Sequence, residues 1–193
     1  MSKRGLLVVI SGPSGVGKGT VRREFMKNED LNRCYSVSMT SREPRPGERE
    51  GIDYFFVTRE EFEKAIAEGK LLEWTEFVGN YYGTPLDYVE KLRDEGKNVI
   101  LEIEVEGASQ IKAKCPDVLM IFITPPSMEE LERRIRGRRT EAEEIVQQRL
   151  AKAEREMTYV GQYKYVICNE EVDLAAELIS VIIRNHMKKQ NAE

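Results

Sequence analysis

An apolar run, LLVVIS, delivers the chain into GPSGVGKGT, where Gly12, Gly15 and Gly17 precede Lys18 and Thr20. Glycine tolerates the left-handed backbone of a tight turn, so such a loop can aim successive N–H groups at one anion. The helix that follows adds the positive end of its dipole. Against G-x-x-x-x-G-K-[ST], the chain matches at Gly12, Gly17 and Lys18, Gly19 stands where the hydroxyl residue belongs, and Thr20 comes one place late. The pattern predicts a phosphate-binding loop of Gly12, Pro13, Ser14, Gly15, Val16, Gly17, Lys18, Gly19 and Thr20 that holds ATP or GTP, with Lys18 reaching the transferred phosphate. A turn that only caps a helix is the bland alternative. The buried strand before the loop and the helical pattern behind it favour the phosphate.

Three other groups of residues could do chemistry. SMTSREPRPGEREGIDY sets Arg42 and Arg45 beside a Pro-Gly turn with Tyr54 following, and GNYYGT adds Tyr81, Tyr82 and Thr84. Guanidinium forks with phenolic hydroxyls suit a terminal phosphate monoester, although an exposed basic loop would read the same way. In NVILEIEVEG the strand period of two puts Glu102 and Glu104 on one face and Leu101, Ile103 and Val105 on the other. Carboxylates at the end of a buried strand need cations or donors, which makes Glu102 a candidate for contact with magnesium through water. The third group is the arginines Arg133, Arg134, Arg136, Arg138, Arg139 and Arg149. Alone they read as a solvated or RNA-binding helix face, but Leu131 and Ile135 mark a buried stripe, and the glycine and threonine of GRRT mark a turn between two helices.

These groups need a frame. Apolar runs at 6–11, 98–105, 119–124 and 164–168 predict strands buried on both faces, and 35–40 predicts a fifth. Helical patterns at 18–28, 86–95, 108–114, 128–135, 141–157 and 174–187 alternate with them, which predicts an α/β fold with a parallel sheet and right-handed crossovers. The stretch 42–84 breaks the rhythm with turns, short aromatic strands and a helix near 60–68, as expected of a small mixed lobe inserted after the second core strand.

A chain of 193 residues, 40% hydrophobic, suffices for one ordinary core with insertions. The net charge of −4 argues against a general nucleic-acid binder, which needs a basic face. No apolar stretch reaches the roughly 20 residues of a membrane span and the start does not read as a signal peptide, so a cytoplasmic location is expected. Cys34, Cys115 and Cys168 lack any paired spacing and have only His186 for company, so neither a zinc site nor a disulfide frame is expected, and His186 reads as a surface residue.

In order along the chain, GPSGVGKGT, SREPRPGE, DYFFV, LLEW, GNYYGT, LEIEVEG, GRRTEAEE and YKYVICN resemble the guanylate kinase family, in particular its bacterial members, over nearly the whole length. The resemblance implies the P-loop nucleoside monophosphate kinase fold: a five-stranded parallel core sheet with helices on both faces, an inserted GMP-binding lobe and a helical lid. The single domain would divide into a core (1–37, 85–128 and 158–193), a lobe (38–84) and a lid (129–157). It also implies transfer of the γ-phosphoryl group of ATP, carried with Mg2+, to GMP and to dGMP. Arg42, Arg45, Tyr54 and Tyr82 would hold the GMP phosphate with Glu48 supporting them, while Ser38, Glu73, Thr84 and Glu104 face the base. Glu73 and Thr84 have an independent warrant, because a carboxylate with a hydroxyl suits the adjacent N1–H and N2–H donors of guanine. Arg134, Arg138 and Arg149 would be lid arginines acting with Lys18 and Arg42 in catalysis, and Asn169 an adenine contact. Arg139 and Lys164 depart from the family's common residues. A guanylate-kinase-like domain that binds protein partners, or a kinase for another nucleoside monophosphate, are the alternatives, and the oligomeric state is left open.

Overall fold

The computed structural model describes residues 3–137 and 142–192. Five strands form the core: β1 (Leu7–Ser11), β2 (Arg33–Tyr35), β7 (Asn98–Glu102), β8 (Leu119–Thr124) and β9 (Tyr165–Cys168). They pair in the order β2-β7-β1-β8-β9, all parallel, with Val8 opposite both Ile100 and Leu119. Alternate residues of β1 feed two cores. Val8 and Ile10 pack with Val21 and Phe25 of α1 (Lys18–Phe25) and with Ile179 and Ile183 of α7 (Val172–Ala192). Leu7 and Val9 pack with Val89 of α3 (Leu86–Asp94) and Ile111 of α4 (Val105–Lys114). Both faces of β1, β7 and β8 are therefore apolar, which is why they read as unbroken hydrophobic runs. The run 164–168, expected to be buried on both faces as well, is instead the edge strand β9, with Val166 and Cys168 exposed. In this order the core strand that follows β1 (β2) lies toward one flank of the sheet and the one that follows β8 (β9) toward the other, a switch point whose crevice beyond the carboxyl ends is the usual ligand site of such sheets.

A second sheet carries the lobe, in the order β4-β3-β6-β5: β3 (Met39–Thr40), β4 (Phe55–Phe56), β5 (Leu71–Phe77) and β6 (Asn80–Pro85). β3 and β4 run parallel and the other pairs antiparallel, so the sheet is mixed. Its helix α2 (Arg59–Ala67) opens on a capping box: Glu61 N donates to Thr58 Oγ1 at 3.2 Å, and Thr58 N donates to Glu61 Oε2 at 2.8 Å. Phe62 of α2 is fully buried against this sheet. Beyond β8 come α5 (Met128–Arg136) and α6 (Glu143–Met157).

Three further readings of the sequence are corrected. Residues 35–40 are not one strand: β2 ends at Tyr35 in the core sheet, and Met39–Thr40 pairs with the lobe. The break falls where the chain leaves the core, with Ser36 N donating a last bond to Ile100 O at 3.0 Å. The strand 98–105 stops at Glu102, because Glu104 takes an extended N-cap conformation and α4 begins at Val105. Leu101, Ile103 and Val105 nonetheless share one core. His186 is half-buried, its ring edge-on to Tyr165 at 5.5 Å and its Nδ1 2.9 Å from Ile182 O. Among the described residues the cysteines are free, and no helix is long and apolar enough to cross a membrane.

Candidate active site

The phosphate loop lies between β1 and α1. Gly15 and Gly17 have φ of 87° and 97°, in the left-handed region, and Gly17 is the N-cap of α1. At Gly17 a Cβ would stand 2.8 Å from Asn169 Nδ2, so space as well as backbone excludes a side chain there. Asn169, buried at the end of β9, donates from Nδ2 to Val16 O at 2.8 Å and so braces the loop from behind. Its Oδ1 is buried without a hydrogen-bond partner. Lys18 Nζ donates to Gly12 O and, at 3.2 Å, to Pro13 O. Burial lowers the Lys18 ammonium pKa, and the carboxylates Glu156, Glu102 and Glu104 oppose that shift.

The loop opens onto a cleft of about 470 Å³ whose lining includes Lys18, Thr20, Glu102, Glu104, Arg149 and Glu156. Glu102, at the end of β7, pairs through Oε2 with Arg22 Nε at 3.0 Å, and the Arg22 guanidinium lies 4.0 Å from the centre of the Tyr35 ring. A Cβ on Gly19 would stand 3.7 Å from Glu102 Oε1, so this carboxylate faces the position where the loop lacks its hydroxyl. Among the described residues no group of three or more acidic, cysteine or histidine side chains could hold a metal unaided. A single carboxylate facing the loop fits Mg2+ that arrives with nucleotide and keeps phosphate oxygens and water as ligands.

The arginine-rich segment divides into roles that its composition does not separate. Arg133 pairs with Glu130 at 2.7 Å, and Arg136 with Glu132 at 2.7 Å and Glu143 at 2.6 Å, all on the surface. Arg134 is anchored by Glu130 at 2.8 Å and reaches Asn169 O at 3.1 Å and Val16 O at 3.4 Å, which places it behind the loop. Arg149 enters the cleft and donates to Ser14 Oγ at 3.2 Å. Arg138 lies outside the described residues, as does Arg139. Lys164, the other departure from the family pattern, has its ammonium 5.5 Å from the Tyr165 ring centre.

In the lobe, Arg42 Nη2 donates to both carboxylate oxygens of Glu48 at 2.9 Å, and the Arg45 amide donates to Glu48 Oε2 at 2.8 Å. The Arg45 amide first, and then the Arg42 guanidinium working against desolvation, hold the Glu48 carboxyl below its usual range. Glu48 thus fixes the loop that carries both arginines, and the Arg45 side chain stays exposed. Tyr54 and Tyr82 meet edge-on at 6.1 Å, with Arg42 5.5 Å from the Tyr54 ring centre. Tyr81, on the other face of β6, stacks on Phe62 and accepts from Arg59 at 2.9 Å, so it takes no part in this cluster. Ser38 is half-buried, and its carbonyl accepts from Phe55 N at 2.8 Å.

Glu73 and Thr84 face each other across β5 and β6, and Thr84 Oγ1 donates to Glu73 Oε1 at 2.6 Å with both residues buried. Burial pushes the Glu73 carboxyl up, opposed by the Thr84 hydrogen bond and by Lys114. A clamp between Trp74 and Gln110, with N–H···O distances of 3.2 and 3.0 Å, ties β5 to α4 and brings Glu73 onto Gly107, one turn earlier on that helix. A Cβ on Gly107 would stand 2.7 Å from Glu73 Oε2. Alanine ordinarily favours a helix over glycine, by about 1 kcal/mol. Here it must push a buried carboxylate off Thr84, and the clamp keeps β5 from retreating. On the expectation that this pair reads the base, Gly107→Ala should weaken GMP binding about tenfold or more, the value of one hydrogen bond to a charged group, while leaving ATP binding unchanged. Calorimetric titration with each nucleotide measures both. Glu104, expected beside the base, pairs with Lys152 at 2.7 Å and is half exposed.

Sequence reading missed Gly107, Arg22, Lys152 and Glu156. The last two were within reach: Arg149, Lys152 and Glu156 recur at helical spacing along 141–157 and so share the face of α6 that meets the cleft.

A strand feeding a glycine loop and a lysine-bearing helix, with a carboxylate at the end of the adjacent parallel strand, defines the P-loop nucleotide-binding class. Within that class, residues 4–186 match the family model described as guanylate kinase, and the chain belongs to that family. It is 54% identical to a guanylate kinase of Bacillus cereus, with 98% of this chain and 93% of that one covered. With one of Streptococcus agalactiae it shares 56% identity over 95% of this chain and 88% of the other. The crystal structure of guanylate kinase from Anaplasma phagocytophilum superposes with a TM-score of 0.72 at 37% identity, over 95% of this chain and 87% of that one.

Proposed function

We propose that the protein transfers the γ-phosphoryl group of ATP to GMP, and to dGMP, giving ADP and the diphosphate. The observation that carries this reading is the buried Glu73–Thr84 pair. A carboxylate held by a hydroxyl accepts from guanine N1–H and N2–H, whereas adenine presents a bare N1 lone pair there and is repelled. Arg42, Arg45, Tyr54 and Tyr82 take the GMP phosphate, with Glu48 fixing their loop. Ser38 and Glu104 border the base, and Asn169 Oδ1 offers an acceptor beside the loop for the adenine amine.

The acceptor needs no general base, because a phosphate monoester with its second pKa near ~6 is largely dianionic at neutral pH. An oxygen of the GMP phosphate forms the new bond to the γ-phosphorus as the bond to the β,γ-bridging oxygen breaks, and ADP leaves with those electrons. Lys18 and Arg149 face the cleft where charge spreads over the transferring group, and the loop amides hold the β-phosphate. Glu102, whose carboxylate faces the loop, would hold Mg2+ that arrives with ATP through water, and the ion would supply further neutralisation of phosphate charge. Arg138 belongs with Arg149 in this role, and Arg134 acts through the loop it supports. Closure of lobe and lid keeps water from the γ-phosphorus.

Anion-exchange analysis of a reaction with ATP and GMP tests this. GDP and ADP should appear in equal amounts, and ADP without GDP would reject the transfer.

A further inference from the structure

Glu156 is a buried carboxylate that the mechanism above does not use. It lies in the last turn of α6, and its Oε2 accepts from the backbone N–H of Ser14 at 2.9 Å. Two turns earlier on the same helix, Arg149 donates to the hydroxyl of that same serine. Ser14 is therefore held twice by one face of α6, at its amide by an anion and at its side chain by a cation. Burying a carboxylate is costly unless donors and charge compensate it, and here the Ser14 amide, Lys18 and Lys152 do so, while Glu104 works against them. An arrangement this expensive, on a loop whose other N–H groups must converge on phosphate, calls for a reason at the loop itself.

We infer that Glu156 is a positioning residue for the phosphate loop: its carboxylate, by accepting from the Ser14 amide, fixes the start of the loop and keeps it in register with the α6 face that carries Arg149. This rests on the reading of the loop as the ATP phosphate site. Without the acceptor, the Ser14 amide loses its partner in a half-buried turn and the Pro13–Ser14 peptide can rotate, which misaligns the amides beyond it. Glutamine keeps an acceptor oxygen at the same reach. Methionine keeps the volume and removes the acceptor, and it suits a buried site.

Calorimetric titrations with ADP and, separately, with GMP, on the wild type, Glu156→Gln and Glu156→Met, test the inference. Glu156→Met should weaken ADP binding about tenfold or more and leave GMP binding unchanged, and Glu156→Gln should stay within about threefold of wild type for both, as expected if one charge-assisted hydrogen bond is lost in the first and an acceptor is kept in the second. Unchanged ADP binding by Glu156→Met would overturn the inference. So would a parallel loss of ADP and GMP binding, which marks a merely structural residue, or a Gln variant as weak as the Met variant. Tighter ADP binding in either variant would make the carboxylate a competitor of phosphate and overturn it too. Failure of the wild type to bind ADP would instead strike the functional reading on which the inference rests. Should Glu156→Met not fold, Glu156→Gln decides alone, since it must retain wild-type ADP affinity.

Discussion

Lys18→Ala lowers kcat for phosphoryl transfer by about 10³-fold while the affinity for GMP stays at the wild-type value. Removing one preorganised donor from a site of developing charge costs about 10² to 10³ in rate, and Lys18 is the cationic side chain of the loop itself. Its ammonium lies over the carbonyls of Gly12 and Pro13, and burial already makes its charge costly, so the loop is built to hold a cation at this point. The residues proposed to hold GMP lie, Glu104 apart, on the second sheet and its loops, which is why binding and turnover should separate. Steady-state kinetics with a calorimetric GMP titration reads both. Normal turnover in the variant would remove Lys18 from the chemistry, and a loss of GMP affinity equal to the loss in kcat would make the effect structural.

Glu73→Gln is expected to collapse the preference for GMP over AMP by about 10³-fold, with KM for ATP unchanged. A site built to pair with a ligand's polar groups rejects an analogue lacking them by about 10⁴ or more, and the carboxylate is the member of the pair with the right acceptors. Glutamine retains an oxygen for Thr84 but turns an NH2 toward the guanine donors. Stability should move the other way. The folded carboxyl has a pKa raised mainly by burial, so it holds its proton to a higher pH than the unfolded chain does. The stability that protonation favours is complete below the unfolded pKa and is lost as pH rises through the folded one. At neutral pH the charge is therefore a cost of function, and the amide should not lower Tm. A variant with undiminished discrimination against AMP, or one that simply unfolds, would refute this account of Glu73.

What the sequence discloses and what it hides divide along physical lines. The core strands are legible because both faces of β1, β7 and β8 are buried, which forces contiguous apolar runs. The phosphate loop is legible because its glycines, lysine and helix must be consecutive. Glu73 and Thr84 could be paired only through the family resemblance, since their meeting depends on the register of β5 with β6. Glu102 and Glu104 looked equivalent by strand period, but the strand ends between them, and one meets Arg22 while the other meets Lys152. The arginines of α5 are alike in composition, and Arg133 and Arg134 even share Glu130; only the fold shows that Arg134 also reaches the carbonyls of Val16 and Asn169. Glu156 contacts Ser14 across most of the chain, and no local pattern encodes that contact. Gly107 reads as an ordinary helix residue until Glu73 is seen against it.

The central claim is that one chain joins a phosphate-transfer loop to a pocket that reads guanine. Initial rates of ADP release with ATP and saturating GMP, dGMP, AMP, CMP or UMP, each in turn, test it most directly. GMP and dGMP should turn over, with kcat/KM for GMP exceeding that for AMP by about 10³-fold or more. Comparable rates with AMP or a pyrimidine monophosphate, or ADP release independent of any acceptor, would contradict it.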